Sequence, residues 1–88
     1  MSQAQNAGGG AAHRTDGGEQ LVKMANDIGR FFRAEPVRED AVAGIASHMG
    51  KYWTKRMRDK LRAYLAQAGA DGGLEELPRE AFQRLEPR

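Results

Sequence analysis

The chain has no cysteine among its 88 residues. Disulfide bonds, thiolate zinc sites and a cysteine nucleophile are therefore excluded, and the composition is compatible with a reducing cytoplasm. Apolar runs long enough to span a bilayer are also missing, and the first residues show no basic n-region followed by an apolar h-region. A domain of this size buries a modest share of its surface. Without disulfide bonds or a structural zinc site, it needs self-association or a partner for stability. We expect a soluble, cytoplasmic protein without membrane contact.

Charge of one sign is in little excess, because 14 basic residues face 12 acidic ones and the net charge is +2. The two signs are nevertheless separated along the chain. This separation indicates either steering toward an acidic partner surface or a balance of charge within the domain. The central cations are Lys51, Lys55, Arg56, Arg58, Lys60 and Arg62, and the C-terminal anions are Asp71, Glu75, Glu76, Glu80 and Glu86.

Residues 1–18 are rich in glycine, alanine, glutamine and serine and have almost nothing to bury. Such a segment cannot offset the entropy lost on ordering, so we predict a disordered tail before a helical domain over residues 19–86. The glycines of the tail do not form a phosphate-binding loop, since no strand precedes them and no Gly-Lys-Ser/Thr follows.

Apolar residues recur with a helical period from Glu19 onward, and no segment alternates with the period of a strand. The first helix is expected to stop at Glu35-Pro36, because the residue before a proline is biased out of the α region. Glu39 and Asp40 then suit the first turn of a second helix, where negative charge favours the positive end of the helix dipole.

Capping residues delimit the last two predicted helices. Thr54 is the expected N-cap of a helix over residues 55–68 and Gly69 its C-cap, and Pro78 is expected at the first position of a short fourth helix. The predicted fold is all-α, a small bundle of three to four helices. Its predicted core faces are Leu21, Met24, Ala25, Ile28, Phe31 and Phe32; Val42, Ile45, Ala46, Met49, Tyr52 and Trp53; Met57, Leu61, Tyr64, Leu65 and Ala68; and Ala81, Phe82 and Leu85.

Aromatic and basic side chains concentrate where the second helix gives way to the third. Trp, Tyr and Arg are enriched at interface hot spots, and a small bundle rarely covers an indole completely. Packing of both Tyr52 and Trp53 in the core between the second and third helices is the alternative. The cations of the third helix fall on both flanks of its apolar face, which favours a solvated rim over a nucleic-acid groove. We predict Tyr52, Trp53, Arg56 and Arg58 as partner contacts.

A row of small residues lies opposite the apolar face of the second helix. A glycine inside a helix costs about 1 kcal/mol relative to alanine, and Gly44 and Gly50 both lie in this one. Close approach of another helix or of a partner backbone would offset that cost, although Gly50 could simply loosen the helix end. We predict Ala43, Ser47 and Gly50 as a second partner-binding patch.

Catalytic and metal-binding constellations are missing. His13 lies in the predicted tail, and His48 has no carboxylate three or four residues away, so it is expected at the boundary of the core. Asn26 and Asp27 are explained equally well by polar contacts and by exposure. We predict no catalytic, cofactor-binding or metal-binding residue, and no enzyme activity of the chain alone.

Three groups of short strings stand out along the predicted helices: MANDIGRFF at 24–32; AVAGIASH at 41–48 followed by YW at 52–53 and RMR at 56–58; and GGLEELPREA at 72–81. Together they resemble the delta subunit of the soluble, NAD-dependent, molybdenum-containing formate dehydrogenases. The likeness covers residues 21–85. In one departure, Thr54-Lys55 stands where that family commonly has an aspartate or similar cap and then a proline.

The resemblance implies a non-catalytic accessory subunit with no cofactor of its own. In that family the large subunit carries the molybdopterin centre and iron–sulfur clusters, and the delta subunit is associated with assembly, stability or cofactor maturation. The implied partner is this large molybdenum/iron–sulfur catalytic subunit. The residues alone leave two alternatives: a helix-turn-helix-like nucleic-acid-binding protein, disfavoured by the weak net charge, and a bundle that only self-associates. The former would use Lys55, Arg56, Arg58, Lys60 and Arg62.

Overall fold

The structure, a computed structural model, describes residues 17–69 and 72–85. These ranges contain four helices and no strand, so the predicted all-α bundle is confirmed. The predicted tail lies outside the described residues except for its last two positions, and the proposed boundary at residue 86 also lies outside them. The helices are α1 (Gly18–Phe32), α2 (Arg38–Tyr52), α3 (Lys55–Ala68) and α4 (Glu76–Gln83).

The predicted signals mark the end of α1, the start of α2 and both ends of α3. α1 ends at Phe32, before Pro36, and the first turn of α2 carries the expected acidic pair. The Thr54 hydroxyl accepts a hydrogen bond of 3.1 Å from the Met57 amide, which satisfies a donor that the first turn of α3 leaves unpaired. Gly69 follows α3 with a φ of +74°, a conformation that favours glycine.

The start of α4 was predicted wrongly. The helix begins at Glu76, so Pro78 occupies its third position and not its first. A proline is tolerated there because the amides of the first helical turn have no intrahelical acceptor. Pro78 is buried against α1, and a Cβ on Gly29 would lie 2.8 Å from its Cδ. The close approach of α4 to α1 therefore depends on a glycine in α1.

The core lies where α1 packs against the three other helices and α2 packs against α4. Three predicted core residues are exposed instead: Phe31, Tyr52 and Ala68. Three buried hydrophobic residues were not predicted: Val22 in α1, Ala41 in α2 and Leu74 in the loop before α4. The buried cluster consists of Leu21, Val22, Ala25, Val42, Ile45, Met49, Trp53, Leu61, Leu74, Ala81 and Phe82.

A buried amide connects α1 to the loop that precedes α4. The Nδ2 of Asn26 donates to the Gly73 carbonyl at 3.0 Å, and its Oδ1 accepts from the Glu75 amide at 2.9 Å. Only 8% of Asn26 is exposed, so these bonds satisfy groups that would otherwise be desolvated without partners. Because Glu75 is the N-cap residue of α4, Asn26 positions the start of that helix.

Ion pairs join the start of α2 to α4. Arg38 contacts Glu76 at 2.7 Å and Glu80 at 2.8 Å, and Arg84 donates to both carboxylate oxygens of Glu39 at 2.7 Å. The C-terminal carboxylates Glu76 and Glu80 are thus neutralised within the domain, by Arg38 and not by the central cations. All five side chains are partly exposed, so each pair contributes little to stability by itself.

The Arg84–Glu39 pair predicts a pH dependence. The two hydrogen bonds from Arg84 lower the pKa of Glu39 below its ordinary value of about 4.5. The stabilisation is therefore complete above that value and is lost as the pH falls through the lower, folded-state pKa. We expect the thermal midpoint to drop more steeply below pH 4.5 in the native chain than in Glu39→Gln. Glu35→Gln, at an exposed loop position, is the control and should follow the native curve; identical curves for all three would contradict the prediction.

Candidate protein-docking surface

Trp53 and Tyr52 are adjacent but occupy opposite environments. Trp53 is 5% exposed and belongs to the core, whereas Tyr52 is 70% exposed at the end of α2. The Tyr52 ring contacts the His48 ring one turn earlier in a tilted arrangement, with ring centres 4.8 Å apart and planes inclined by 47°. His48 is half-buried, as predicted. Of the two predicted aromatic contacts, Tyr52 therefore offers the larger surface to a partner.

Arg58 is engaged with the backbone of its own domain. Its Nη1 donates a hydrogen bond of 2.7 Å to the Trp53 carbonyl, where the end of α2 leaves acceptors unpaired. Arg56, by contrast, is exposed and forms no ion pair among the described residues. It lines a shallow cavity of about 190 Å³ between the starts of α1 and α3, together with Lys60. Arg56 is thus free to contact a partner.

The other cations of α3 are partly neutralised. Asp59 accepts from Lys55 and from Arg62 at 2.7 Å each, and these bonds lower its pKa, with the Lys55 contribution larger. Arg62 also lies over the Phe82 ring at 5.7 Å. Lys55, Arg58 and Arg62 thus each have a hydrogen-bond partner. Arg56 and Lys60, the other two basic residues of α3, have none among the described residues. Nothing in this geometry supports the nucleic-acid alternative.

The small residues of α2 divide between internal and external roles. A Cβ on Gly44 would lie 2.5 Å from the Phe32 ring, so this glycine allows α1 to approach α2 closely. Gly50 has no such tight neighbour, since its nearest contact would be the Leu85 side chain at 3.7 Å. Ala43, Ser47 and Gly50 are exposed and form one small-residue patch on the outer face of α2. Whether this patch binds a partner stays a prediction.

The sequence analysis missed an apolar groove between α1 and α2. It has a volume of about 360 Å³ and is lined by Asp27, Ile28, Phe31, Phe32 and His48. Together with Tyr52, whose ring contacts His48, we call these six residues the aromatic groove. Phe31 is 77% exposed and meets the Phe32 ring edge-on, with centres 5.2 Å apart. The sequence offered no decisive signal for the exposure of Phe31, because neighbours on a helix differ by only about 100° and can both be buried, as Leu21 and Val22 are.

A second cleft, of about 390 Å³, lies between α1 and α4. Arg30 crosses it to Glu75 at 2.6 Å, and the Arg38 pairs described above occupy its other side. Arg30 and Arg38 are therefore paired with carboxylates, whereas Arg33, which also lines the cleft, has no ion pair in the described part of the chain. Residues 17–69 and 72–85 contain no group of histidine and carboxylate side chains that could hold a metal ion. The same described part has no helix both long and apolar enough to cross a membrane.

Comparison with known protein families identifies a match. A family model described as NADH-dependent formate dehydrogenase delta subunit FdsD matches residues 20–82, which include nearly all of the four helices. Searches of curated proteins and of solved structures find no match to the chain. The matched region contains the aromatic groove, Arg56 and the small-residue patch.

Proposed function

Because the chain belongs to the NADH-dependent formate dehydrogenase delta subunit family, we propose that it is a non-catalytic accessory subunit of a cytoplasmic, NAD-dependent formate dehydrogenase complex. The observation that carries this proposal is the family match over residues 20–82. In the proposal the chain supports assembly, stability or cofactor maturation of the large molybdenum/iron–sulfur subunit and docks on it. It binds no cofactor itself.

The distribution of exposed side chains supports a docking role. Large apolar side chains exposed at adjoining positions are typical of interaction surfaces, and Phe31 and Tyr52 are both exposed around one groove. Arg56, in the first turn of α3 and four residues after Tyr52, adds an exposed cation without an ion pair among the described residues. Tyr, Trp and Arg are the residue types that most often dominate binding energy at interfaces.

We assign the predicted contact residues two kinds of role in this docking. Tyr52 and Arg56 contact the catalytic subunit, and Ala43, Ser47 and Gly50 form a second contact patch. Trp53 packs in the core at the end of α2. Arg58 stabilises the turn between α2 and α3 by donating a hydrogen bond to the Trp53 carbonyl. Both therefore fix the position of Tyr52.

Co-purification of the complex tests the proposal. A tagged chain is co-expressed with the formate dehydrogenase subunits, and both their recovery and the formate:NAD activity are measured. Tyr52→Ala and Arg56→Glu should each reduce recovery about tenfold or more, because truncating a hot spot costs about 2 kcal/mol or more. Gln67→Glu, which adds a negative charge at an exposed position of α3, is the control and should leave recovery unchanged. A native chain that recovers none of the subunits would refute the proposed function.

A further inference from the structure

The aromatic groove is open, and its walls have a regular spacing. Asp27 and Phe31 are one turn apart on α1, as are Ile28 and Phe32, and His48 and Tyr52 are one turn apart on α2. Residues four apart on a helix lie about 5–6 Å from each other along its surface. A ligand whose side chains repeat at this interval fits such walls, and an amphipathic helix has this property.

A negative charge at the edge of the groove favours a helix that carries a lysine or arginine. Asp27 is its only carboxylate, and its side chain is 60% exposed. Its one ion pair in the described part of the chain is with Arg30 at 3.3 Å, while Arg30 contacts Glu75 more closely, at 2.6 Å. The Asp27 carboxylate therefore keeps acceptor capacity at the edge of an apolar surface, where an added cation would be attracted.

We propose that the aromatic groove binds an amphipathic helix of a partner subunit that places apolar side chains between Phe31 and His48 and a lysine or arginine against Asp27. The inference rests on the proposed function, which supplies a partner subunit, and adds the chemistry of the segment that is recognised. Tyr52 joins the groove to the docking surface described above, so the two contacts form one continuous interface.

Two other occupants fit the groove less well. The 16 residues before Gly17 contain Met1 as their only large apolar side chain, so they offer little to fill the space between aromatic rings. A second copy docked groove to groove would make a two-fold symmetric contact. It would bring in a second Asp27 but no lysine or arginine, because the groove lining holds neither, so the contact would lack charge complementarity.

Site-specific crosslinking within the intact complex tests the inference. Phe31 is replaced by the photoreactive p-benzoyl-phenylalanine in the tagged chain, and the adduct is mapped by mass spectrometry. We expect an adduct with a helix of a partner subunit that has apolar residues at intervals of three and four and a neighbouring lysine or arginine. The same group at Ala66, exposed on α3, is the control and should not label that helix.

Charge reversal then tests the role of Asp27. Asp27→Lys should reduce recovery of the complex about tenfold, and replacing the partner's basic residue by glutamate should restore it. Phe31→Ser should reduce recovery similarly. Both positions are exposed, and circular dichroism of each purified variant verifies its helix content; if Phe31→Ser loses helix, Asp27→Lys and the crosslink decide.

The possible results separate this inference from the proposed function. If the native chain recovers no formate dehydrogenase subunit, the proposed function fails and the inference fails with it. If the native chain recovers the complex but Asp27→Lys does so equally well, the groove assignment is overturned and the function stands. Adducts formed only with a second copy of the chain, or only with residues 1–16, would also overturn the assignment.

Discussion

Trp53→Ala is expected to unfold most of the domain, whereas Tyr52→Ala should leave it folded. Removing a buried indole costs about 3–5 kcal/mol, and a small domain without disulfides or a metal rarely has more than about 3–5 kcal/mol in total. Trp53 is 5% exposed and packs in the core formed by α1, α2, α3 and α4, while Tyr52 is 70% exposed. Surface substitutions change stability by about 0.5 kcal/mol or less.

Urea denaturation of the purified chain, followed by circular dichroism at the helix band, measures both effects. Circular dichroism is preferable to fluorescence because Trp53 is the only tryptophan. Tyr52→Ala serves as the matched control, being an aromatic truncation at the neighbouring position. Equal losses of stability in the two variants would mean that Trp53 is not a core residue.

This difference affects how a docking experiment is interpreted. A complex lost in Trp53→Ala is explained by unfolding of the subunit, so it carries no information about which surface binds. Tyr52→Ala and Arg56→Glu remove exposed groups and keep the core intact. Loss of the complex in those variants therefore reports on the interface itself.

Asn26→Ala has the second largest expected effect, a loss of about 1–3 kcal/mol. The change removes the two hydrogen bonds to Gly73 and Glu75, and buried groups left without partners cost about that much. The damage should concentrate at α4, because Asn26 holds the loop that starts this helix. We also expect the buried side chains of Leu74 in that loop and Pro78 in the first turn of α4 to pack less well.

Hydrogen exchange of the α4 amides, measured beside the unfolding curve, tests this localisation. In Asn26→Ala the amides of α4 should lose protection before those of α2. Asp27→Asn alters the next residue, which is exposed, and should change neither stability nor exchange by a measurable amount. Uniform loss of protection across all helices would contradict the positioning role of Asn26.

Local signals in the sequence predicted most of the helix ends. Thr54 and Gly69 cap α3 through contacts within a few residues, and the break near Pro36 is likewise local. The start of α4 was missed because Pro78 is acceptable anywhere in a first turn, and the residue that anchors this turn, Asn26, is 49 positions away from Glu75. No local pattern reports such a contact.

The candidate site was predictable in part. The Tyr52–Arg58 segment was recognised from its composition, but its division into exposed Tyr52 and Arg56 and structural Trp53 and Arg58 was not. Phe31 satisfied a helical period and was predicted in the core. It is exposed because α2 packs on the side of α1 that carries Phe32, against Gly44.

The sequence by itself determined the helical class, three of the four helix starts and the family resemblance, since helical period, capping and short strings are properties of neighbouring residues. Only the tertiary structure decided which aromatic rings are covered, that Asn26 joins α1 to the loop before α4, and that Phe31, His48 and Tyr52 border one groove. The physical reason is that burial depends on which helix lies against which face. That choice is made by contacts between residues far apart in the chain, such as Phe32 with Gly44 and Pro78 with Gly29.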